Sequence, residues 1–322
     1  MLQKRSFLPA TVGLIIIGLL FYYALYVLET RTDRGRVYTD NGLKLEDAYH
    51  RMIAIDTIPS RVVSVAPNIT EIVFALGEGK RLVGRTDYCD HPAEAASIES
   101  IGNITEPSIE KVVSLNPDIV IASTHFQKDT LDKLEDLGIK VAILKGEESF
   151  EGLYDLILQV GQVLHSRRRA AELVLDLQKK VADITLKVEK APKLTVFYLI
   201  FYGDFGFYTA GQDTFIGNMI TMAGGDNVAS DSKGWQYSIE KLVEKDPDIL
   251  ICSKFYNAKE MLEKTPGFKE LTAVRDGKLL EIDHNLLDRQ GPRLVEGLET
   301  LARLLHPEIF SVRQGEYIDY GL

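Results

Sequence analysis

Residues 108–122 read SIEKVVSLNPDIVIA, and residues 238–252 read SIEKLVEKDPDILIC. In each copy a serine precedes a short amphipathic helix, an Asn-Pro or Asp-Pro pair ends it, and a wholly apolar segment follows. Serine is a favoured helix N-cap, and proline disfavours helical backbone in the residue before it. The apolar segment is typical of a strand buried on both faces of a parallel sheet. Two near-identical copies 130 positions apart, counted from Ser108 to Ser238, therefore indicate duplicated α/β lobes.

Between the two copies lies a segment of a different kind, residues 151–191, which lacks proline and has helical periodicity. A break near Ser166 divides it into two helices, and the second spans roughly Arg168–Lys190. At 1.5 Å per residue that helix is about 35 Å long, so we expect it to connect the lobes. The predicted fold class is α/β, with two similar lobes and parallel sheets joined by a long rigid helix. A ligand pocket is expected where the lobes meet.

The amino terminus carries an uncharged run, Thr11–Leu28, preceded by Lys4 and Arg5. The run is long enough to cross a bilayer as a helix, and the basic residues before it resemble the start of an export signal. Neither a small-residue cleavage site nor a lipoprotein cysteine lies beside it. We therefore predict an uncleaved transmembrane signal anchor over 1–28, with a cleaved signal peptide as the alternative. The charges that flank the run do not decide its orientation.

These patterns divide the chain into six segments. They are the anchor (1–28), a tether (29–60), the amino-terminal lobe (61–150), the connecting helices (151–191), the carboxy-terminal lobe (192–310) and a tail (311–322). Within the first lobe, a turn is expected at Ala66–Asn68 and a helix at Thr70–Leu76.

Composition and motifs exclude several classes of protein. The net charge of −10 argues against nucleic acid as a partner. Cys89 and Cys252 form no CxxC motif and fall one in each lobe, so we expect two free thiols. The sequence lacks GxSxG, GxxxxGK[ST], GxGxxG and HExxH, so nothing supports catalysis and the protein is predicted not to be an enzyme.

Candidate binding residues follow the predicted strands, because ligands of parallel sheets bind beyond the carboxyl ends of the strands. These loops are rich in aromatic residues and poor in charge. They suit a large, flat, partly apolar ligand, with arginines for its carboxylate or phosphate groups. The candidates are Pro67, Asn68, Tyr88, Phe126, Phe207, Tyr208, Trp235, Tyr256, Arg289 and Arg293. Weaker candidates, for a metal or a haem iron, are His91, His125 and His284, the alternative being unrelated surface histidines.

Two stretches of the first lobe resemble a known family. RVVSVAPNITEIVFALGEGKRLVGRTDYCDHPAEA, residues 61–95, and IGNITEPSIEKVVSLNPDIVIA, residues 101–122, resemble the substrate-binding proteins of ABC importers for cobalamin, haem and iron-siderophores. The resemblance extends over about Val37–His306. The motif DYCDHP and the single tryptophan, Trp235, are closest to the cobalamin-binding branch. The resemblance implies two α/β lobes joined by one rigid helix, a corrinoid as the transported ligand, and no catalysed reaction.

The resemblance also implies a partner. In the cobalamin branch one glutamate on each lobe docks onto arginines of the membrane permease, and Glu110 and Glu240 are the glutamates of the repeated units. Like charges on two lobes can set the register on a two-fold partner. The alternative is a pair of solvated glutamates near the positive end of a helix. The implied partners are the permease and, through it, its ATPase, with the protein anchored in the membrane and placed outside the cytoplasm.

The resemblance places Tyr88, Trp235 and Arg289 in the ligand pocket, with Phe207 and Tyr208 close to another such position.

The chain departs from the cobalamin-binding pattern at Ile104 and Ser123, which stand near the places of two expected tryptophans. Haem or a ferric siderophore therefore stays open as the ligand. A sensor that presents its ligand to a membrane partner, and an envelope hydrolase built on the same lobes, are the more distant alternatives.

Overall fold

The computed structural model describes residues 43–123, 126–203 and 206–310. The strands are β1 (Leu43–Glu46), β2 (Met52–Ile55), β3 (Val62–Ser64), β4 (Leu82–Arg85), β5 (Ile119–Ala122), β6 (Val141–Ile143), β7 (Leu194–Gly203), β8 (Gly206–Thr209), β9 (Gly225–Asn227), β10 (Ile249–Ser253) and β11 (Leu279–Ile282). The α-helices are α1 (Pro67–Ala75), α2 (Ile109–Ser114), α3 (Lys128–Asp136), α4 (Phe150–Val163), α5 (Arg167–Val188), α6 (Phe215–Met222), α7 (Ile239–Lys245), α8 (Ala258–Leu262), α9 (Thr272–Arg275), α10 (Asn285–Asp288), α11 (Leu294–Leu305) and α12 (Pro307–Phe310).

The two main sheets repeat one strand order. In the first lobe the order is β4-β3-β5-β6, with every pair parallel. In the second lobe β9, β7, β10 and β11 are parallel neighbours in the equivalent order. The hairpin strand β8 is an addition, paired antiparallel to the far end of β7. The predicted α/β class with parallel sheets is confirmed, and the shared order is what a duplication produces.

Both repeated units fold in the same way. The Oγ of Ser108 accepts the backbone N–H of Lys111 at 3.3 Å, and the Oγ of Ser238 accepts that of Lys241 at the same distance. Each serine therefore satisfies an N–H group that has no partner within its helix.

The two helices also end in a similar way, since the residue before each proline, just past the end of the helix, is left-handed. Asn116 and Asp246 both adopt left-handed backbone, with φ of 43° and 40°. Proline disfavours right-handed helical geometry at this position, and a left-handed residue is a common helix end. The predicted helix ends are therefore confirmed, and each end is caused by residues adjacent in the sequence.

The aspartates that follow these prolines tie each unit to the equivalent strand of its lobe. Asp118 accepts the backbone N–H and the hydroxyl of Ser60, just before β3, at 2.7 and 2.8 Å. Asp248 accepts the same two groups of Thr195, in β7, at 2.8 and 2.7 Å. The duplication thus extends to side-chain hydrogen bonds.

The long helix predicted between the repeats is α5, which has 22 residues. It packs against both α4 and α11. Its buried side chains, among them Val174, Leu177 and Ile184, belong to a hydrophobic core that includes residues of both sheets. Two further cores lie on the other faces of the sheets, one in each lobe.

Residues 43–55 correct the predicted tether, because they form the antiparallel hairpin β1–β2. The hairpin turn binds the strand β6, which is the last of its sheet. Ala48 donates to the carbonyl oxygen of Ile143 at 2.8 Å, and the N–H of Ile143 donates to the buried Asp47 carboxylate at 3.3 Å. Polar groups that an edge strand leaves unpaired are thereby satisfied. The hairpin is part of the first lobe and extends it beyond the predicted boundary at 61.

Asp47 is the centre of this contact. It accepts the backbone N–H groups of Tyr49 and Arg51 at 2.9 and 3.1 Å, and the Nε of Arg51 at 3.1 Å. Burial opposes ionisation of the carboxyl group, but these hydrogen bonds outweigh it and hold the pKa of Asp47 below its usual range.

A second correction concerns the expected turn at Ala66–Asn68. Helix α1 begins there, with Pro67 in its first turn, where the missing N–H of proline leaves no helical hydrogen bond unmade.

The predictions for the cysteines and for the two ends of the chain remain to be compared with the structure. Cys89 and Cys252 are buried free thiols, as expected. The predicted anchor and tail, 1–28 and 311–322, lie outside the described residues. Within 43–123, 126–203 and 206–310, no helix is long and apolar enough to cross a membrane.

Candidate functional site

Exposed aromatic side chains mark the loops that follow the strands. Tyr88 follows β4, Trp235 precedes the second repeated unit, and Tyr256 follows β10; all three are exposed, Tyr256 to 89%. The sequence did not single out Phe201, which is 56% exposed near the end of β7. Large aromatic surfaces left open in this way are typical of binding sites.

The hairpin β7–β8 holds part of this aromatic surface. The rings of Phe201 and Tyr208 lie 6.3 Å apart, and Tyr208 is half-buried. The backbone N–H of Thr209 donates to the carbonyl oxygen of Trp235 at 2.8 Å. This hydrogen bond sets the tryptophan beside the end of β8, so three aromatic residues share one region of the second lobe.

A second group lies at the carboxyl ends of β10 and β11. The ring of Tyr256 stacks on His284, with centroids 6.4 Å apart, and Phe255 meets the same imidazole edge-on at 5.2 Å. Tyr256 has a φ of 61°, a strained conformation for a non-glycine residue that is found more often at functional sites. His284 Nδ1 is held by the hydroxyl of Ser253 at 2.8 Å.

The hydroxyl of Ser253 takes part in a second hydrogen bond besides the one to His284. Ser253 is buried, and its oxygen also accepts the N–H of Phe255 at 3.1 Å. A bond to Nδ1 orients the ring and leaves Nε2 as the nitrogen that can meet a ligand, which is how proteins prepare a donor or metal-binding histidine. In the described part of the chain, no cluster of three or more His, Cys, Asp or Glu side chains is arranged to hold a metal ion.

Both predicted arginines bind carboxylates of the opposite lobe. Arg293 donates from Nε and Nη2 to Glu71 at 3.1 and 2.6 Å, and Glu71 is buried in α1. Arg289 lies 3.6 Å from the same carboxylate and donates to Asp90, in the loop after β4, at 3.2 Å. Its guanidinium holds the pKa of Asp90 below the usual range. The arginines therefore have partners within the protein, where the sequence predicted a ligand's anionic groups.

The residues between these arginines are also docked on the first lobe. Gln290 donates to the carbonyl oxygen of Ser149 at 3.3 Å. Gly291 lies so close to α1 that an added Cβ would be 3.0 Å from Glu71 Oε2 and 3.6 Å from Asn68 Cα. Segment 289–293 thus forms a second connection between the lobes, separate from α5, and we call it the inter-lobe clamp.

The remaining predicted residues fall in different places. Pro67 and Asn68 are half-buried at the start of α1, beside the clamp. Phe126 and Phe207 are corrections, because both are buried in the outer cores of their lobes. The ring of Phe207 contacts Phe268 at a centroid distance of 5.4 Å. Phe126 follows β5 as expected but is buried, and Phe207 lies within β8, where the sequence predicted a loop. His125 lies outside the described residues.

Glu110 and Glu240 are exposed on α2 and α7. Glu240 accepts the hydroxyl of Ser238 at 2.5 Å, and this hydrogen bond lowers the pKa of the carboxyl group. The equivalent helices therefore present equivalent carboxylates, one on each lobe.

Comparison with known proteins agrees with this architecture. The model of the periplasmic binding protein family matches residues 62–286. An uncharacterised ABC transporter substrate-binding lipoprotein of Bacillus subtilis is 33% identical over 274 residues, which cover 83% of this chain and 86% of that protein. A cobalamin-binding protein of Halobacterium salinarum is 28% identical over 273 residues, covering 81% and 73%. Among solved structures, a periplasmic haem-binding protein of Roseiflexus sp. RS-1 in its apo form has a TM-score of 0.71 and 27% identity, covering 78% and 99%.

Proposed function

The chain belongs to the periplasmic binding protein family, and from this premise we propose that it captures a corrinoid between its lobes and delivers it to an ABC importer. The observation that carries the proposal is the set of exposed aromatic residues on both lobes, Tyr88 in the first and Phe201, Trp235 and Tyr256 in the second. The ligand contacts we propose are Tyr88, Phe201, Tyr208, Trp235 and Tyr256, with Pro67 and Asn68 beside them. The role is transport, without catalysis.

A corrinoid suits this surface because it is large and mostly apolar on its faces. Aromatic side chains contribute much contact area and lose little conformational freedom on binding. The proposal is supported by the similar Halobacterium protein, which is named as cobalamin-binding. It is also supported by the DYCDHP motif that contains Tyr88 and by the position of Trp235.

Isothermal titration calorimetry with cobalamin and with cobinamide tests this ligand at tens of micromolar protein. We expect saturable heat with at least one of them, together with quenching of the fluorescence of Trp235, the single tryptophan of the chain. The variant Trp235→Phe is expected to bind more weakly, whereas Tyr49→Phe, on the amino-terminal hairpin, is the matched control. An absence of heat with both compounds eliminates the corrinoid.

Haem is the second candidate, and a specific observation favours it. His284 has Nδ1 bound to Ser253 and a stacked Tyr256, so an imidazole nitrogen and a phenol lie together at an open surface. Either group is a known axial ligand of haem iron. A Soret band that appears on adding haem and is lost in His284→Ala or Tyr256→Phe establishes this ligand in place of the corrinoid.

We further propose that Glu110 and Glu240 dock onto basic residues of the importer's permease, which acts with its ATPase. One exposed carboxylate on each lobe fits a partner with two equivalent halves. Reversing both charges, with Glu110→Lys and Glu240→Lys, is expected to abolish uptake and to leave ligand affinity unchanged. Normal uptake by the double variant contradicts the docking role.

We also propose that residues 11–28 hold the protein at the outer face of the membrane. The similar Bacillus protein is named as a lipoprotein, which supports attachment of this protein to the membrane. Deleting residues 1–28 is expected to move the protein from the membrane fraction to the soluble fraction. Retention of the shortened protein in the membrane fraction contradicts the anchor.

A further inference from the structure

The two repeated units present the same surface as well as the same backbone. Over six consecutive positions, 109–114 and 239–244, the order of exposed, half-buried and buried side chains is identical. The agreement includes an apolar residue that is left open in both, since Val113 and Val243 are each 42% exposed. A valine three positions after a glutamate on a helix lies on the same face. Each lobe therefore carries one carboxylate beside one exposed valine.

The internal packing of the lobes does not explain why an apolar residue stands at positions 113 and 243. The residues before them, Val112 and Leu242, are fully buried and fill the outer cores. A single exposed apolar residue is ordinary on a protein surface. The same residue at the same position of both units, next to the same charge, is a repeated surface feature.

The structure also holds these two surfaces in place. The hydrogen bonds of Asp118 and Asp248 attach each unit to the equivalent strand of its lobe. The sheets in turn are connected by α5 and by the inter-lobe clamp. Two equivalent surfaces on a stiff frame fit a partner that offers one complementary surface twice.

We propose that Val113 and Val243 are contact residues for the permease, each packing against an apolar group of one permease subunit beside the basic residue that meets the neighbouring glutamate. This inference rests on the proposed function and adds a contact to it. Around each ion pair an apolar contact excludes water, which strengthens the charge interaction. The partner is thus a two-fold symmetric membrane protein with a basic and an apolar group at each contact.

The experiment measures binding of this protein to the permease–ATPase complex that supports its uptake activity, held in nanodiscs, by biolayer interferometry. The variants are Val113→Asp, Val243→Asp and the double variant. Leu137→Asp and Leu186→Asp are matched controls, because both leucines are exposed and the charge change is the same. Val→Ser variants and thermal unfolding of every variant show whether folding is intact.

We expect each single valine variant to bind about fivefold or more weakly, and the double variant about thirtyfold or more weakly. The two single variants are expected to agree within about threefold, because the partner is symmetric, and the leucine controls within about twofold of the unchanged protein. A strong effect of one valine and none of the other overturns the symmetric contact.

Other outcomes separate this inference from the proposal on which it rests. If the unchanged protein does not bind the importer, the proposed function fails. If it binds, and the glutamate reversals abolish binding while the valine variants match the leucine controls, the valine contact alone is wrong. If the unchanged protein is a dimer and Val→Asp makes it a monomer, the surface joins two copies of this chain, and the permease contact is overturned.

Discussion

Arg293 donates hydrogen bonds from two nitrogens to the carboxylate of Glu71, at 2.6 and 3.1 Å, and the two residues belong to opposite lobes. Their side chains are only 15% and 2% exposed. A buried ion pair adds little net stability over an apolar contact, but breaking it leaves a buried charge without a partner. Loss of either side chain therefore leaves an unpaired buried charge at a contact between the lobes.

Glu71→Gln removes the negative charge and keeps the shape of the side chain. We expect the free energy of unfolding to fall by about 3 kcal/mol, because the arginine stays buried without its counter-charge. Urea denaturation measures the change. Glu299→Gln is the control, since it breaks the exposed pair with Arg303 on α11 and is expected to lower the free energy by less than about 1 kcal/mol. Equal losses in the two variants contradict the role of the clamp.

Asp47→Asn tests the amino-terminal hairpin. The change weakens the hydrogen bonds that attach the hairpin to β6, and we expect a loss of about 2 kcal/mol of unfolding free energy at pH 7. The folded-state pKa of Asp47 lies below its unfolded value, so its contribution is full above the unfolded pKa and is lost as the pH falls through the folded pKa. The difference between the variant and the unchanged protein is therefore expected to shrink in strongly acidic solution.

The control for this prediction is Asp56→Asn on the same hairpin segment. Asp56 forms an exposed pair with Lys140, and its loss is expected to change stability little at any pH. A constant difference between Asp47→Asn and the unchanged protein from pH 7 to below pH 4 refutes the assigned role of the carboxylate.

Two aromatic residues that the sequence placed in one site are expected to behave differently. Phe207→Ala opens a cavity in the outer core of the second lobe and is expected to lower the unfolding free energy by about 3–5 kcal/mol. Tyr256→Ala removes an exposed ring, so we expect less than about 1 kcal/mol of destabilisation and roughly tenfold weaker ligand binding. Calorimetry and urea denaturation on both variants separate the effects. If Phe207→Ala binds ligand more weakly and is as stable as the unchanged protein, Phe207 is a ligand contact and its assignment to the core is wrong.

The thiols are expected to be unreactive in the folded protein. Both are buried, and burial raises the pKa of Cys252 to about 12. The thiolate is the reactive form, and at pH 8 it makes up only about one part in 10,000 of such a thiol. An Ellman assay is expected to show no fast reaction until denaturant is added, and then to show two thiols. One thiol that reacts at once in the native protein contradicts the buried placement.

Features that depend on neighbouring residues along the chain were readable from the sequence. The two repeated units carry their own start, stop and strand signals, and α5 carries helical periodicity. The same reasoning missed the hairpin β1–β2, because its strands are only four residues each and its attachment to the lobe is a contact between its turn and β6, far along the chain. It also placed Phe126 and Phe207 among exposed loop residues of the site, since position after a strand does not state whether a side chain is buried.

The sequence by itself determined the duplicated α/β units, the long connecting helix and the placement of aromatic residues in loops. These follow from local backbone preference and from the periodicity of apolar residues, which act within a few positions. Only the tertiary structure decided that Glu71 would meet Arg293, 222 residues away, and that the arginines would balance carboxylates of the protein itself. Charge pairing over that separation depends on which surfaces packing brings together, and no local pattern records it.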